Sequence, residues 1–536
     1  MKKRFTIIVT GLVAGLWCAV CILPVACVSV RRGGGGRTNW AEERFRSVGW
    51  GQAAFDSYTN ALVALTAEEW EWVRRLVNPD QSVSDFTTEE QAQFAQVLGL
   101  DITNVIHTAE ALAQFAHLVN LGDDFGGRVV LLAADIDLSA HQWTPAGTNN
   151  NTASFMGIFD GGGHTISGMT IKISKKNAFK SVGLFGEIRG SVIRNVTLAD
   201  VNIAVSCDGK TGLNAGGIAG FNWGGRGSMI SNCTVNGTIS SSWAAGGIAG
   251  CSFGDITDCV NDAAVSAAVW AGGIAGWNSD AIGDCVNNGA VSCSTDYSLS
   301  EVGGIAGSND GGVISYGTII NCLNNGVVSS FSWRGTLTGG LVGKNSGGRV
   351  INSQNRGTVS VRTDSAACEE LREYGYCADS SAGGIVGRNV TGSVANCVST
   401  GDIIFTGAAN DKADVGGVAG LNDESDDIVT CITDSYWRVS GTDQAVGTIK
   451  AGTVTSNLIS FGDAPGTLSS PHPDFGTASL LDALNAYVDA HLAVTNVWRY
   501  ANTDAVTLRT WTLDNARRGY PTLRIGGAHP ETGVGR

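Results

Sequence analysis

Ala215-Gly-Gly-Ile-Ala-Gly-Phe-Asn222 and, nine residues on, Ser231-Asn-Cys-Thr-Val-Asn-Gly-Thr-Ile239 are the two phrases from which the rest of the chain can be read. Val182-Gly-Leu-Phe-Gly186 precedes the first phrase, and Gly-Gly-Ile-Ala-Gly then ends at Gly220, Gly250, Gly276 and Gly307. Gly-Gly-Leu-Val-Gly343, Gly-Gly-Ile-Val-Gly387 and Gly-Gly-Val-Ala-Gly420 continue it. These eight copies lie 34, 30, 26, 31, 36, 44 and 33 residues apart. Periods of about 20–50 residues mark a stacked-repeat architecture. Asn222, Asn278, Asn309, Asn345, Asn389 and Asn422 stand two residues after the phrase, with Ile188 and Ser252 as exceptions. The second phrase returns at Asp258-Cys259, Asp284-Cys285, Asn321-Cys322, Asn352-Ser353 and Asn396-Cys397.

Each piece is short, rich in Ile, Val and Thr, and bounded by Gly, Asn or Asp, which is the punctuation of strands and turns. No window here carries a helical period. The expected fold is therefore mainly β: a right-handed parallel β-solenoid of about three short strands per coil, with coils stacked ~4.8 Å apart. Glycine pairs form its tight corners. Asparagines at one turn position can hydrogen-bond up the stack and satisfy the turn. Cys233, Cys259, Cys285, Cys322 and Cys397 are read as one inward stack of small, inert side chains. None belongs to a CxxC pair, which disfavours a metal role.

Composition agrees with one long hydrogen-bonded body. Gly accounts for 74 of 536 residues, about twice ordinary usage, yet no proline occurs between Pro145 and Pro465. That excludes collagen and Pro/Gly-rich low complexity. The net charge of −14 argues against nucleic acid as a partner, since phosphate binding needs a basic face.

The Gly-Gly-Ile-Ala-Gly-x-Asn phrase followed by Asn-Cys-x-Asn-x-Gly resembles the GLUG motif of bacterial surface proteins. That repeat is shared with adhesins and with the non-catalytic region of immunoglobulin-A-cleaving zinc metallopeptidases. The resemblance spans roughly residues 106–447. It takes in an opening helix near Ile106–His117 and first coils around Val129–Leu138, Trp143–Gly147 and Phe159-Asp-Gly-Gly-Gly-His164. It implies a solenoid, an extracellular setting and an adhesive role, and carries no catalytic residues of its own.

The flanks divide the chain further. Residues 1–27 read as an export segment: Met1-Lys-Lys-Arg4 is followed by an apolar run to Ala26. Leu23-Pro-Val-Ala-Cys27 resembles a lipoprotein lipobox, with Pro24 where Leu is preferred, and implies lipidation of Cys27. Ordinary cleavage and a retained anchor remain the other two readings. Residues 28–39 form a Gly-rich tether, 40–128 a helical N-terminal segment and cap, 129–435 the solenoid, and 436–536 a mixed C-terminal cap. An insertion at 361–381 holds Cys368 and Cys377, expected as a disulfide closing an exposed loop.

Chemistry is harder to find. The seven histidines form no His-Glu-x-x-His, so the zinc site of the related metallopeptidases is missing. Gly250-Cys-Ser-Phe-Gly254 fits a nucleophile elbow only on paper, because Ser252 holds the repeat's Asn position. Asp208-Gly-Lys-Thr211 lacks the upstream glycine of a phosphate loop. Asp258 and Asp284 occupy equivalent positions one coil apart, a spacing that would suit a retaining glycosidase, although both sit where Asn forms the turn. Trp223, Trp243, Trp270, Trp277 and Trp333 could offer flat faces to sugars or proteins. Their repeat offsets differ, which favours corner packing over a stripe. Asp423-Glu-Ser-Asp-Asp427 reads as a solvated acidic turn.

The expected function is a non-enzymatic, exported adhesin-like scaffold at the bacterial envelope, held at the membrane by its N-terminal lipid or anchor. Its expected partner is an extracellular protein or glycan, with no cofactor, metal or nucleic acid. The alternative is a carbohydrate-active β-helix enzyme, a polysaccharide lyase or glycoside hydrolase.

Overall fold

The computed structural model describes residues 104–523 apart from 148–153, 175–180, 207–211, 225–226, 296–297, 312–316, 333, 364–379, 408–412, 424–429, 439–441, 443, 451–452, 462–466, 492, 496–504 and 515–519. The export segment with Cys27, the tether, the helical stretch before residue 104, Trp333 and the Cys368–Cys377 pairing all lie outside the described residues.

A parallel β-solenoid occupies most of the described chain. One coil shows the plan: Ala244–Gly246 lies in sheet I, Ala249–Ser252 in sheet II, Asp255–Thr257 in sheet III, and Val260–Asn261 with Ala264–Ala267 in sheet IV. Sheets I, II and III hold eight, nine and twelve strands, and their hydrogen bonds join equivalent strands of successive coils. Register is kept over the stack. Ala219, Ala249, Ala275, Ala306, Val342, Val386, Ala419 and Val446 pair in one column. At ~4.8 Å per step the twelve strands of sheet III extend about 50 Å.

This coil has five short strands on four sheets, where about three strands were expected. The glycine phrase is not one strand but a corner, with its first Gly ending a strand of sheet I and its Ala-Gly opening one of sheet II. What the glycines provide is close approach. A Cβ at Gly250 would stand 2.6 Å from the Gly220 oxygen and 2.8 Å from the Ala215 nitrogen. The second Gly of each pair faces the inner side chain of the next phrase: Asn261 at Gly247, Asn287 at Gly273, Asn324 at Gly304 and Asn355 at Gly340. The two halves of the repeat are thus one steric unit.

Three polar columns run up the stack. The expected one joins Asn278, Asn309, Asn345, Asn389 and Asn422 through Nδ2–H···Oδ1 bonds of 2.8, 2.8, 2.8 and 3.0 Å, all fully buried. The sequence reading missed the second: Asn261, Asn287, Asn324 and Asn355 bond at 2.8 Å each. Each of these also donates to the carbonyl two residues on, at 2.9 Å. Its signal is an Asn two residues after Cys259, Cys285, Cys322 and Ser353 of the second phrase. The third column explains that phrase's Asn/Asp. Asn195, Asn232, Asp258, Asp284, Asn321, Asn352, Asn396 and Asp434 all have φ between 47° and 56°, the left-handed region that Asn and Asp tolerate best.

The cysteine stack is inward as expected. Cys233, Cys259, Cys285, Cys322 and Cys397 are at most 1% exposed, and each thiol donates to the carbonyl two residues before it at 3.1–3.3 Å. Ser353 and Ser435 take the same place and the same bond. Burial pushes the Cys397 thiol up to about 12, so it is inert at neutral pH. The eight described cysteines carry free thiols.

Helix α1 (Ala109–Asn120) starts at Thr108, whose side chain accepts from the Ala111 N–H. It buries Leu112, Phe115, Ala116 and Val119. Phe115 lies 5.0–6.2 Å from the rings of Phe125, Phe155, Phe159 and Phe185, plugging the first coils. Behind them Arg194 donates to Asp160 at 2.9 Å, both almost fully buried, and Asp160 also holds the Gly162 N–H at 2.9 Å. This pairing shapes the Phe159–His164 turn.

Beyond residue 435 the coil continues through Tyr436–Arg438, Val446–Ile449, Val454–Ser456 and Ile459–Phe461. The remaining tail then returns along the flank of the stack instead of closing its end. Helix α2 (Leu480–His491) and the ribbon Trp511–Asp514 with Tyr520–Leu523 cover Ala281, Ile320, Ile351, Val398 and Tyr436, apolar side chains on the outside of the solenoid. The strap is pinned to the third column: the Trp511 indole donates to Asn352 at 2.8 Å, Gln354 to the Pro521 carbonyl at 2.9 Å, and Arg509 to Asp284 at 2.6 Å.

Candidate functional site

Two places gather the residues that the sequence put forward. The first is the Asp258–Asp284 pair. The structure sets the two aspartates at the same corner of adjacent coils, with Asp284 beneath the strap and Asp258 left exposed. Asp284 accepts from Arg509, and its side chain is 12% exposed. Asp258 keeps contact with solvent, yet surrounding protein and the Asp284 charge push its carboxyl up to about 6. Both replace Asn in a column of hydrogen-bonded amides, and the Arg509 guanidinium answers the charge they introduce. Asp284 therefore reads as a lock for the strap.

This gives a pH prediction. The folded protein favours protonated Asp258, so its contribution is complete below the unfolded value of 3.8 and is lost as pH rises through about 6. Asp258→Asn should stabilise the chain at pH 7.5 by about 1 kcal/mol, allowing for solvent screening. The gain should shrink towards nothing by pH ~4. Urea titrations of both proteins at the two pH values test it; an equal gain at both would remove the charge explanation.

The second place is an aromatic face. Phe221 and Trp223 project from one coil, Trp243 and Phe253 from the next, and Trp270 and Trp277 from the third. All six are half-buried. Phe221 stacks on Trp223 at 4.4 Å and on Phe253 at 5.4 Å, and Phe253 meets Trp277 edge-on at 5.3 Å. Trp270 lies 5.2 Å from Trp277 and 5.4 Å from Trp243. Four of the five tryptophans singled out in the sequence are described, and all four join this patch. Their differing offsets, expected to scatter them, instead reflect two sheets: Trp243 and Trp270 flank sheet I strands, while Trp223, Phe253 and Trp277 follow sheet II. The glycine corner brings the sheets close enough for the rings to touch. Phe221 and Phe253 were missed because only tryptophans were counted.

Charged groups close both ends of this face. At one end the Trp223 indole donates to Glu187 at 3.2 Å and the Arg189 guanidinium lies 5.5 Å from the Trp223 ring. At the other, Glu301 pairs with Trp270 across the coil step and lies 3.9 Å from Lys344. Glu301 is 8% exposed; burial raises its carboxyl pKa, against the lowering effects of Lys344, Ser308 and Trp270. Its Oε2 and the Trp277 Nε1 are buried without a hydrogen-bond partner.

The other sequence candidates find structural places. Ser252 is fully buried, accepts from Asn222 at 3.0 Å and donates to the Gly254 carbonyl at 2.7 Å, so it serves the amide column. Asp423 is ion-paired with Arg388 and with Lys450; the rest of its acidic loop lies outside the described residues. Among the described residues no group of three His, Cys, Asp or Glu side chains is placed to hold a metal, and no helix is long and apolar enough to cross a membrane.

Comparison with known proteins follows the repeat. Halomucin of Haloquadratum walsbyi is 34% identical over 130 residues, 22% of this chain, and the chain spans only 1% of that protein. Among solved structures, a putative immunoglobulin A1 protease from Bacteroides ovatus has a TM-score of 0.36 at 22% identity, over 60% of this chain and 83% of that one. An IgA1 protease has a TM-score of 0.29 at 13% identity, over 80% of this chain and 26% of that one. Superpositions this loose add nothing to the reading of the site. The family profile of the GLUG motif matches residues 211–240 and 378–404, which hold the glycine corners before Asn222 and Asn389 and the turns at Asn232 and Asn396, so the chain carries the GLUG motif within its parallel β-solenoid body.

Proposed function

We propose that the protein is a non-catalytic binding scaffold displayed outside the cell, adhesin-like in role, with the six-ring aromatic face as its contact surface. The N-terminal segment would hold it at the envelope, through a lipid on Cys27 or a retained anchor. The observation that carries this reading is the aromatic face itself. Six partly exposed rings on a solenoid have no evident folding purpose, since the core is already filled by Ile, Val, Ala and Cys. They sit on a backbone fixed by three polar columns, so little order must be created on binding. The −14 charge suits an extracellular surface and not a nucleic acid.

Binding of purified full-length protein to arrays of glycans and extracellular-matrix proteins tests this, with bond cleavage assayed on every glycan that binds. Saturable binding without cleavage is expected. Release of reducing or unsaturated sugar ends, abolished by Asp258→Asn or Asp284→Asn, would make the molecule an enzyme and overturn the proposal.

A further inference from the structure

We propose that residues 66–103 of the same chain dock on the outer face of sheet III over its first coils, as the strap does farther along that sheet. The pattern of burial carries the inference. Val129, Leu131, Ile158, Val192 and Met229 alternate with Val130, Phe159, Ile193 and Ile230, which point into the core, so the first five point outward. Outward side chains of a solenoid are wetted unless something lies over them. These five are at most 9% exposed, yet they belong neither to the core, which α1 joins, nor to the cluster beneath the strap. Under the strap the same signature has a visible cause. Outward Ala281, Ile320 and Ile351 are at most 7% exposed because α2 and the ribbon cover them. Half-buried Asp255 and Thr257 separate the two patches, so one cover does not serve both.

The occupant follows from the chain itself. Burial this deep is reached within a single chain, so no second molecule is called for. Chain entry fixes which end supplies the cover: the strand Asn104–Ile106 lies at the edge of sheet III, directly beside Val129–Leu132. Six residues separate Leu98 from Asn104, a reach of about 20 Å. The strand of Met229 lies four coil steps from that edge, about 19 Å away. The chain beyond residue 523 starts from the ribbon, at the strap's end of the sheet. Residues 66–103 also have the right chemistry. Trp70, Val73 and Val77, and then Phe94, Val97 and Leu98, recur at helical spacing and make apolar faces. The same stretch carries eight Asp or Glu against two Arg. That acidity suits Arg194, which is 3% exposed on this face and whose Nη1 is buried without a hydrogen-bond partner. A guanidinium N–H shut away from water calls for an acceptor, which a carboxylate or carbonyl of the cover would supply.

Two measurements on the full chain test this. Met156 is half-buried and borders the face, in a cleft with Gly157, Gly190 and Gly227. A photoreactive benzoylphenylalanine in its place should crosslink on irradiation to a peptide within residues 66–103 of the same molecule. Hydrogen exchange followed by mass spectrometry should show amides of 66–103 protected in the parent. Val192→Glu sets a charge beneath the cover and should speed their exchange about tenfold or more. Phe94→Ala should act in the same direction from the other side of the contact. Exchange in 480–491 and in the coils of residues 244–423 should not change in either variant. If Val192→Glu loosens the coils themselves, the crosslink and Phe94→Ala still decide. A crosslink to another part of the chain, a crosslink of doubled mass to a second copy, or none at all overturns the proposal. Exchange of 66–103 at the rate of a free chain in the parent overturns it as well.

Discussion

Gly340→Ala is expected to cost about 4 kcal/mol or more and to split unfolding of the solenoid into two steps. A Cβ at Gly340 falls well under 3.0 Å from both the Gly384 carbonyl of the next coil and the Asn355 side chain. Neither neighbour can yield cheaply. The carbonyl accepts no strain without shifting a whole coil, and Asn355 is fully buried with its Nδ2 donating to the Gly357 carbonyl at 2.9 Å. Moving Asn355 also breaks its 2.8 Å bond from Asn324. Because a solenoid is held together coil by coil, the damage falls on one interface. The coils before residue 340 should keep near-normal stability while those after it unfold at lower denaturant. Guanidinium titration followed by hydrogen exchange on the two halves would show this. One cooperative transition at the parent midpoint would mean the corner is looser than its geometry implies.

Much of this architecture could be read from the sequence because each repeat unit is local. A Gly-Gly corner, an Asn two residues beyond it and an Asn/Asp-Cys turn lie within about thirty residues of one another. Stacking then multiplies whatever one coil does. The Cys stack and the first amide column followed directly from position in the phrase. The second column was equally local in Asn261, Asn287, Asn324 and Asn355, but its residues read as ordinary turn formers. Only the structure shows them filling the space left by the second glycine of each pair.

Non-local features were not legible. The strap joins Arg509 to Asp284 and Gln354 to Pro521, separations of 225 and 167 residues with no short-range mark. Outward Ile320 and Ile351 follow inward Ile319 and Val350 in strands that are apolar on both faces, so nothing distinguished a covered flank from a core. The aromatic face was hidden for a related reason. Trp270 sits six residues before its phrase-ending glycine and Trp277 one after, yet their rings lie 5.2 Å apart. Proximity across a corner depends on how sharply the glycines let two sheets meet, and spacing along the chain does not encode it.

The strap supplies the other large effect. Trp511→Ala should remove about 3–5 kcal/mol from its docking, the usual cost of truncating a buried Trp. Trp511 is 2% exposed among Ile351, Leu484, Tyr487 and Val488 of the same apolar cluster. Its indole donates to Asn352, and its backbone N–H donates to the Asn485 side-chain oxygen at 2.9 Å. Losing the ring leaves a cavity and removes a donor from Asn352, so the ribbon and α2 lose their common anchor. The coils beneath hold each other through their own sheets and columns and should survive. The expected result is selective release: segments 480–491 and 505–523 become open to protease and exchange their amides rapidly, while those of residues 219–423 stay protected. The uncovered Ile320, Ile351 and Val398 should then bind a hydrophobic dye. Unchanged protection of the strap would deny Trp511 its anchoring role. Loss of protection throughout the coils would show that the strap is part of the stack's own stability and not a separable layer upon it.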